Sequence, residues 1–169
     1  MLSDKMLYTR RVASDAVMLV LALVFSYIEA ILPLELLLPL PGFKLGLANI
    51  VITVLVWRIS LVDAAVVSAL RVLIMGLLFG SPVSMIYSLA GAVLSLAVMF
   101  LLKKLTPLTE VVVSVCGGVM HNVAQIAVAS VILDTNVVVY YLPFLVLSGT
   151  LAGIAVGVAG ALLIKRVKF

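Results

Sequence analysis

Charged side chains are scarce in this chain of 169 residues: 11% are Asp, Glu, Lys or Arg, whereas 66% are hydrophobic. Soluble domains are about 25% charged and about 45–50% apolar. The composition therefore excludes a soluble globular protein, a disordered protein and a basic nucleic-acid-binding domain. The apolar runs are continuous and do not alternate, which disfavours a transmembrane β-barrel. Because a membrane span needs about 20 residues, the chain has room for one helical membrane domain of about six or seven spans.

Residue types that carry most enzyme chemistry are also rare. Cys116 is the one cysteine and His121 the one histidine, which excludes an internal disulfide and disfavours a metal site. No glycine-rich loop followed by Lys and Ser or Thr is present, so we do not expect the chain to hydrolyse ATP. No Asp-rich cluster that would hold Mg²⁺ on a diphosphate is present either. The sequence predicts a protein that is not itself an enzyme and that binds no metal or covalent cofactor.

The apolar runs predict an all-α integral membrane protein, a bundle of six transmembrane helices forming a single domain over residues 1–169. Pro33, Pro39 and Pro41 interrupt the chain between the first two runs, so residues 33–43 are expected to form an outer loop that caps a pocket. Ser60 with Asp63, and Pro82, are typical of helix starts. The predicted spans are about 13–31, 44–58, 60–79, 82–102, 109–133 and 142–164.

The distribution of Lys and Arg predicts the orientation of the bundle. Of the eleven basic residues, Lys44 alone falls in an outer loop and Arg71 lies within a span if both termini are inside. The other nine then lie on the inner side, as the positive-inside rule requires. The sequence therefore predicts that both termini are cytoplasmic. The nine inner residues are Lys5, Arg10, Arg11, Arg58, Lys103, Lys104, Lys165, Arg166 and Lys168.

Polar side chains inside the predicted spans are few, and such residues usually mark function or a specific pair. Arg71 is suited to bind an anionic or carbonyl group, while His121 and Gln125, four residues apart, share a helix face. Glu29 is a possible partner of Arg71. One interpretation is a structural ion pair and a hydrogen-bonded core network; the other is a ligand pocket open to the outside. The pocket would be lined by Asn49, Arg71, Tyr87, His121, Asn122 and Gln125, with Glu29 and Lys44 at its mouth.

Small residues recur every fourth position in two spans, a spacing that lets helices approach closely. The stripe in the last span, together with Gly91 in the fourth, is expected to pack helices against each other. The stripe in the first span is expected either to pack internally or to dock another protein. The stripe in the last span consists of Gly149, Gly153 and Gly157, and that in the first consists of Ala22, Ser26 and Ala30.

Four segments together resemble one protein family. They are PGFKLGLANI at 41–50, RVLIMGLLFGS at 71–81, SLAGAVLSLAVMF at 88–100 and GGVMHNVAQ at 117–125. This pattern is similar to the Gx transporter family, also called heptaprenyl diphosphate synthase component I, and the resemblance runs over about 13–164. That family in turn resembles the substrate-binding S components of energy-coupling factor (ECF) transporters.

The resemblance implies a six-helix S component in a bacterial-type cytoplasmic membrane. Such a subunit captures a vitamin-like or isoprenoid- or quinone-related molecule at the outer face. It associates with a transmembrane coupling subunit and two cytoplasmic ATPases, which alone use ATP. S components commonly dock through a small-residue stripe in the first helix, whose spacing Ala22, Ser26 and Ala30 match. The alternative is a non-catalytic accessory subunit of a prenyl diphosphate synthase or of a membrane redox system.

Overall fold

The computed structural model describes residues 2–32 and 45–166. It is all-helical, with about 90% of its residues in helices and no strand in the part described. A short 3₁₀ helix, Val137–Tyr141, precedes the last α-helix. The six α-helices are α1 (Leu2–Ile31), α2 (Leu47–Arg58), α3 (Leu61–Phe79), α4 (Pro82–Leu105), α5 (Glu110–Ile132) and α6 (Leu142–Arg166).

Five of the described helical segments are long and apolar enough to cross a membrane: α1 from Tyr8, α3, α4, α5, and α6 with its preceding 3₁₀ turn. The exception is α2, because its 12 residues extend only about 18 Å, whereas the hydrocarbon core is about 30 Å thick. Within the predicted second span over 44–58 the described residues form this shorter helix, and the count of six spans stays a prediction. Lys44 and the predicted loop 33–43 lie outside the described residues.

Side-chain caps begin the three helices that follow α2. Ser60 accepts a hydrogen bond from the Asp63 amide at α3, and Thr109 accepts one from an amide at α5. At α4, Ser81 and Ser84 form a reciprocal capping box. The first amides of a helix have no partner within it. These caps therefore pair amides that the helices themselves leave unpaired.

The core of the bundle is built around α2. Seven of its twelve residues are buried, and Ala48, Val51 and Leu55 pack in one cluster with Ala22 of α1 and Val67 of α3. The neighbour relations form a closed ring: α1 contacts α3, the next three helices follow in chain order, α6 contacts α2, and α2 contacts α1. The short helix also contacts α3, so three helices pack around it.

The glycine stripe of α6 lies directly against the backbone of α5. A Cβ atom at Gly153 would lie 2.6 Å from the Cα of Val115, and one at Gly157 would lie 2.7 Å from the Cα of Val111. Each step of four residues along α6 meets a step of about four back along α5, as expected for antiparallel helices. The contacts are Gly149 with Gly118, Gly153 with Val115, and Gly157 with Val111.

One end of the bundle, here called the basic end, gathers cationic side chains from several helices. The contacts that join these helices are Arg11 with Asp63 at 2.7 Å, Arg58 with the Ile164 carbonyl, and Lys103 with the Val56 carbonyl at 2.7 Å. The charge distribution predicted that these residues share one side, and the contacts place them at one end. That this end faces the cytoplasm stays a prediction.

We predict that Gly153→Ala destabilises the protein by about 1–3 kcal/mol, the usual cost of overpacking. The added methyl group meets the backbone of α5, which cannot move aside without separating the two helices. Gly160→Ala is the matched control, since its Cβ would meet the side chain of Thr53 at 3.0 Å. Thermal unfolding in detergent would compare the two variants, and equal melting temperatures would contradict this account of the α5–α6 contact.

Candidate ligand-binding site

A cavity of about 40 Å³ lies inside the bundle, bounded by α2 to α6. We call it the polar cavity, because side chains with hydrogen-bonding groups form much of its wall in an otherwise apolar protein. A space of this volume holds roughly one to three water molecules. Its polar lining residues are Asn49, Thr53, Ser68, Ser95, Ser114 and His121.

A glycine turn places Asn49 at the cavity. Gly46 precedes α2 with a φ of 72°, a conformation that residues with side chains rarely adopt, and its carbonyl accepts the Asn49 amide at 2.8 Å. A Cβ at Gly46 would lie 3.2 Å from Asn49 Nδ2. Glu29 of α1 accepts the Gly46 amide at 2.6 Å. Glu29 therefore fixes the start of α2, and with it the position of the Asn49 side chain.

Gly91 provides the space that the His121 side chain occupies. A Cβ at Gly91 would lie 2.7–2.8 Å from three atoms of the imidazole ring, so the ring packs on the backbone of α4. One turn along, Gly117 of α5 faces Ser95 and Met99 in the same way. The small residue predicted to pack helices at position 91 thus also sets the position of a cavity-lining side chain.

The candidate residues lie at about the same height in the bundle. At 1.5 Å per residue, Asn49, Arg71, Ser95 and His121 are each about 14–17 Å from the basic end of their own helix. This distance is about half the thickness of a hydrocarbon core, which is about 30 Å. The short α2 begins at about this height, so it does not extend along the half of the bundle away from the basic end.

Arg71 lies at the contact between α1 and α3, which we call the α1–α3 seam, and is not among the cavity-lining residues. Its Nη1 donates to Ser26 Oγ at 3.3 Å, while its Nε is buried and has no hydrogen-bond partner among the described residues. The charge of Glu29 acts on Arg71. The carboxylate of Glu29, however, is hydrogen-bonded to Gly46, so the two groups are held by different partners.

The other predicted pocket residues are placed differently. Asn122 joins two helices, since its Nδ2 donates to the Leu145 carbonyl of α6 at 2.6 Å. Tyr87 and Gln125 are half-buried and do not line the polar cavity. Of the predicted set, the structure therefore brings Asn49 and His121 together at the cavity, with Arg71 at the neighbouring seam.

Four hydroxyl-bearing residues of the lining were missed by sequence reasoning. Thr53, Ser68 and Ser114 are only 1–4% exposed, and each comes from a different helix, as does Ser95. A single Ser or Thr in an apolar helix carries little signal, because its hydroxyl can bond to the carbonyl one turn earlier. These hydroxyl groups indicate a site only because they converge on one cavity, and that convergence depends on how four helices pack.

The small-residue stripe of α1 faces the bundle over most of its length. Ala22 is fully buried in the core, Ser26 accepts the hydrogen bond from Arg71, and Ala30 is exposed. Small side chains let α1 approach α2 and α3 closely. Ala22 and Ser26 of the predicted docking stripe thus contact the bundle, while Ala30 is exposed together with larger residues of α1 such as Val17 and Val24. Docking through this stripe stays a prediction.

These features define a multi-pass helical membrane protein with a polar cavity between its helices. The chain belongs to the heptaprenyl diphosphate synthase component I family, whose model matches residues 18–163. This match confirms the family resemblance drawn from the sequence. No curated protein and no solved structure matches the chain. Within residues 2–32 and 45–166, no group of three or more His, Cys, Asp or Glu side chains is arranged to hold a metal ion.

We predict that Gly91→Ala displaces the ring of His121, because the new methyl group would occupy the space of three ring atoms. The protein has one histidine, so imidazole NMR signals of histidine-labelled protein report this ring alone. The signals should shift in Gly91→Ala and stay unchanged in Ala97→Val, which adds carbon to the exposed side of the same helix. Unchanged signals in Gly91→Ala would refute the assigned contact.

Proposed function

We propose that this chain is the substrate-binding membrane subunit of an ECF-type importer. It captures a vitamin-like or isoprenoid- or quinone-related molecule at the outer face and works with a transmembrane coupling subunit and two cytoplasmic ATPases. The observation that carries the proposal is the polar cavity, where Asn49 and His121 converge near the middle of an apolar bundle. Polar residues inside a membrane are costly, and their convergence around a space points to a ligand.

The short α2 supports the same interpretation. In transport proteins, binding sites lie near the bilayer midplane, and a short or glycine-interrupted apolar segment is a pointer to them. Here α2 begins at Gly46, a residue that lines the cavity. Small-molecule sites commonly measure about 300–1,000 Å³, so the cavity of about 40 Å³ is large enough only for the polar end of a ligand. The remainder would occupy the outer region that α2 does not cross.

The division of labour in the proposal follows from what the sequence lacks. Import driven by ATP needs a nucleotide-binding loop, and the sequence has no such motif. ATP would therefore be bound by the partner subunits. The basic end, where loops from several helices meet, would face those subunits if it is cytoplasmic, as the positive-inside rule predicts.

A second candidate function is favoured by the name of the family, which is that of a component of a heptaprenyl diphosphate synthase. A component implies a partner subunit. Without an Asp-rich motif, the chain would serve as a non-catalytic membrane subunit of such an enzyme. The polar cavity would then be a hydrated structural feature. The two functions differ in which proteins bind the chain: a coupling subunit with ATPases, or a soluble Asp-rich synthase.

We predict that Asn49→Ala removes a co-purifying small molecule while changing the melting temperature little, since Asn49 faces the cavity. Asn122→Ala is the contrasting variant. It loses the bond to Leu145 and should reduce stability by about 0.5–2 kcal/mol while retaining the ligand. Native mass spectrometry of gently purified protein measures occupancy and identifies the released molecule. Equal occupancy in wild type and Asn49→Ala would count against the cavity as a binding site.

Co-purification from the native host decides between the two candidate functions. The importer proposal requires a membrane coupling subunit and ATPases among the proteins retained after mild detergent extraction. Stable recovery of a prenyl synthase without ATPases, from protein that carries no small molecule, would replace the proposal with the second candidate.

A further inference from the structure

The guanidinium of Arg71 is only partly satisfied in the α1–α3 seam. Of its five N–H donors, the described structure engages Nη1, which donates to Ser26 Oγ at 3.3 Å. Its Nε is buried without a partner among residues 2–32 and 45–166. A buried donor that lacks a partner is unfavourable, and more so when it carries charge. A cation in this state within a membrane protein indicates that a partner is missing.

The geometry of the unengaged edge limits what that partner is. Nε–H and one N–H of Nη2 point in the same direction and form a fork that fits the two oxygens of a carboxylate or a phosphate. Because Ser26 is bonded to Nη1, this second edge stays available for a bidentate contact. A hydroxyl or a single carbonyl oxygen would satisfy only one of the two donors.

Glu29 is the acidic residue whose charge acts on Arg71, yet its carboxylate is already in use. It accepts the Gly46 amide at 2.6 Å, a bond that fixes the start of α2. Turning Glu29 onto Arg71 would free that amide, so the internal carboxylate is a poor substitute for an external one. The negative charge of Glu29 still offsets the positive charge of Arg71. Because little positive charge then remains uncompensated, the α1–α3 seam favours a ligand with one negative charge over a dianion.

Apolar surface adjoins this site on its outer side. Tyr27, next to Ser26, packs on Phe79 of α3 with ring centroids 5.5 Å apart. Both side chains are about half exposed. A molecule whose charged end reaches Arg71 would thus lay an apolar portion against aromatic side chains.

We propose that the Nε–Nη2 edge of Arg71 binds the singly charged carboxylate or phosphate-ester head of an amphiphilic ligand. This anion-site proposal rests on the proposed function, because it takes the ligand to be the molecule that the subunit captures. The anion site adds the chemical class of that molecule, which is one anionic head on an apolar body. An anionic lipid head group presents the same chemistry, and the experiment below separates the two sources.

The test uses protein in nanodiscs of phosphatidylcholine, titrated with dodecanoate or with dodecanol at about pH 8.5, where a carboxylic acid is ionised. Fluorescence of Trp57, the single tryptophan, reports the melting temperature. We expect dodecanoate to raise the melting temperature and dodecanol of the same chain length to do so much less. Equal shifts for the two probes would overturn the proposal.

Variants of Arg71 test whether the stabilisation by dodecanoate depends on the two donors of its Nε–Nη2 edge. Arg71→Lys keeps the charge but loses the second donor of the edge, so its affinity for dodecanoate should fall about tenfold. Arg10→Lys is the matched control, since Arg10 lies exposed near the basic end. Equal affinity of wild type and Arg71→Lys would show that charge alone acts there and would overturn the bidentate site.

Ser26→Asp keeps the test decisive if variants of Arg71 fail to fold. It places a carboxylate on the residue that already contacts Arg71, so it should raise the melting temperature without any probe and abolish the response to dodecanoate. A lower melting temperature with an unchanged response to dodecanoate would contradict the proposal.

Further measurements distinguish a captured ligand from a membrane lipid as the occupant of the anion site, and they distinguish the anion site from the importer function. If nanodiscs containing phosphatidylglycerol reproduce the stabilisation and block dodecanoate, the anion site stands and its occupant is a lipid. An Arg71-dependent response in protein that carries no small molecule and binds no ATPases would uphold the site and reject the importer. A captured ligand that depends on Asn49 but not on Arg71 would uphold the importer and reject the anion site.

Discussion

A bilayer supplies no water to a polar group inside a protein, so every such group must find its partner within the fold. Most of this structure follows from that constraint. Hydroxyl caps satisfy amides at the starts of three helices, and basic side chains bond to the last carbonyls of neighbouring helices at the basic end. Two places stand out against this background: the polar cavity, where hydrogen-bonding side chains converge around a space, and Arg71, whose Nε is buried without a partner among the described residues. The proposed ligand contacts lie at these two places.

Close packing creates both places. Glycines let α5 and α6 approach until their backbones touch, and Gly91 lets the His121 ring rest on α4. The short α2 occupies only the part of the bundle nearest the basic end. Glu29 holds the start of this helix at Gly46. The same bond that anchors α2 withholds the nearest carboxylate from Arg71, so the architecture of the bundle and the chemistry of the seam are coupled.

The chain belongs to the heptaprenyl diphosphate synthase component I family, and the description of that family as a component of a synthase is consistent with a chain that is not itself the enzyme. The importer proposal and the anion-site proposal stand on different residues. The first depends on Asn49 and His121 at the cavity, and the second on Arg71 at the seam. The variants at Asn49 and at Arg71 therefore test the two proposals separately.

The sequence by itself determined the fold class, the approximate positions of the helices and the grouping of basic residues at one end. Continuous apolar runs and charge placement are local properties that can be read directly from the chain. Only the tertiary structure decided that most of α2 is buried and that Ala22 lies in the core. It alone showed that Asn122 bonds to α6 while four scattered hydroxyl groups meet at one cavity. Those outcomes depend on how each helix is rotated and how deeply it packs, and contacts between helices determine both.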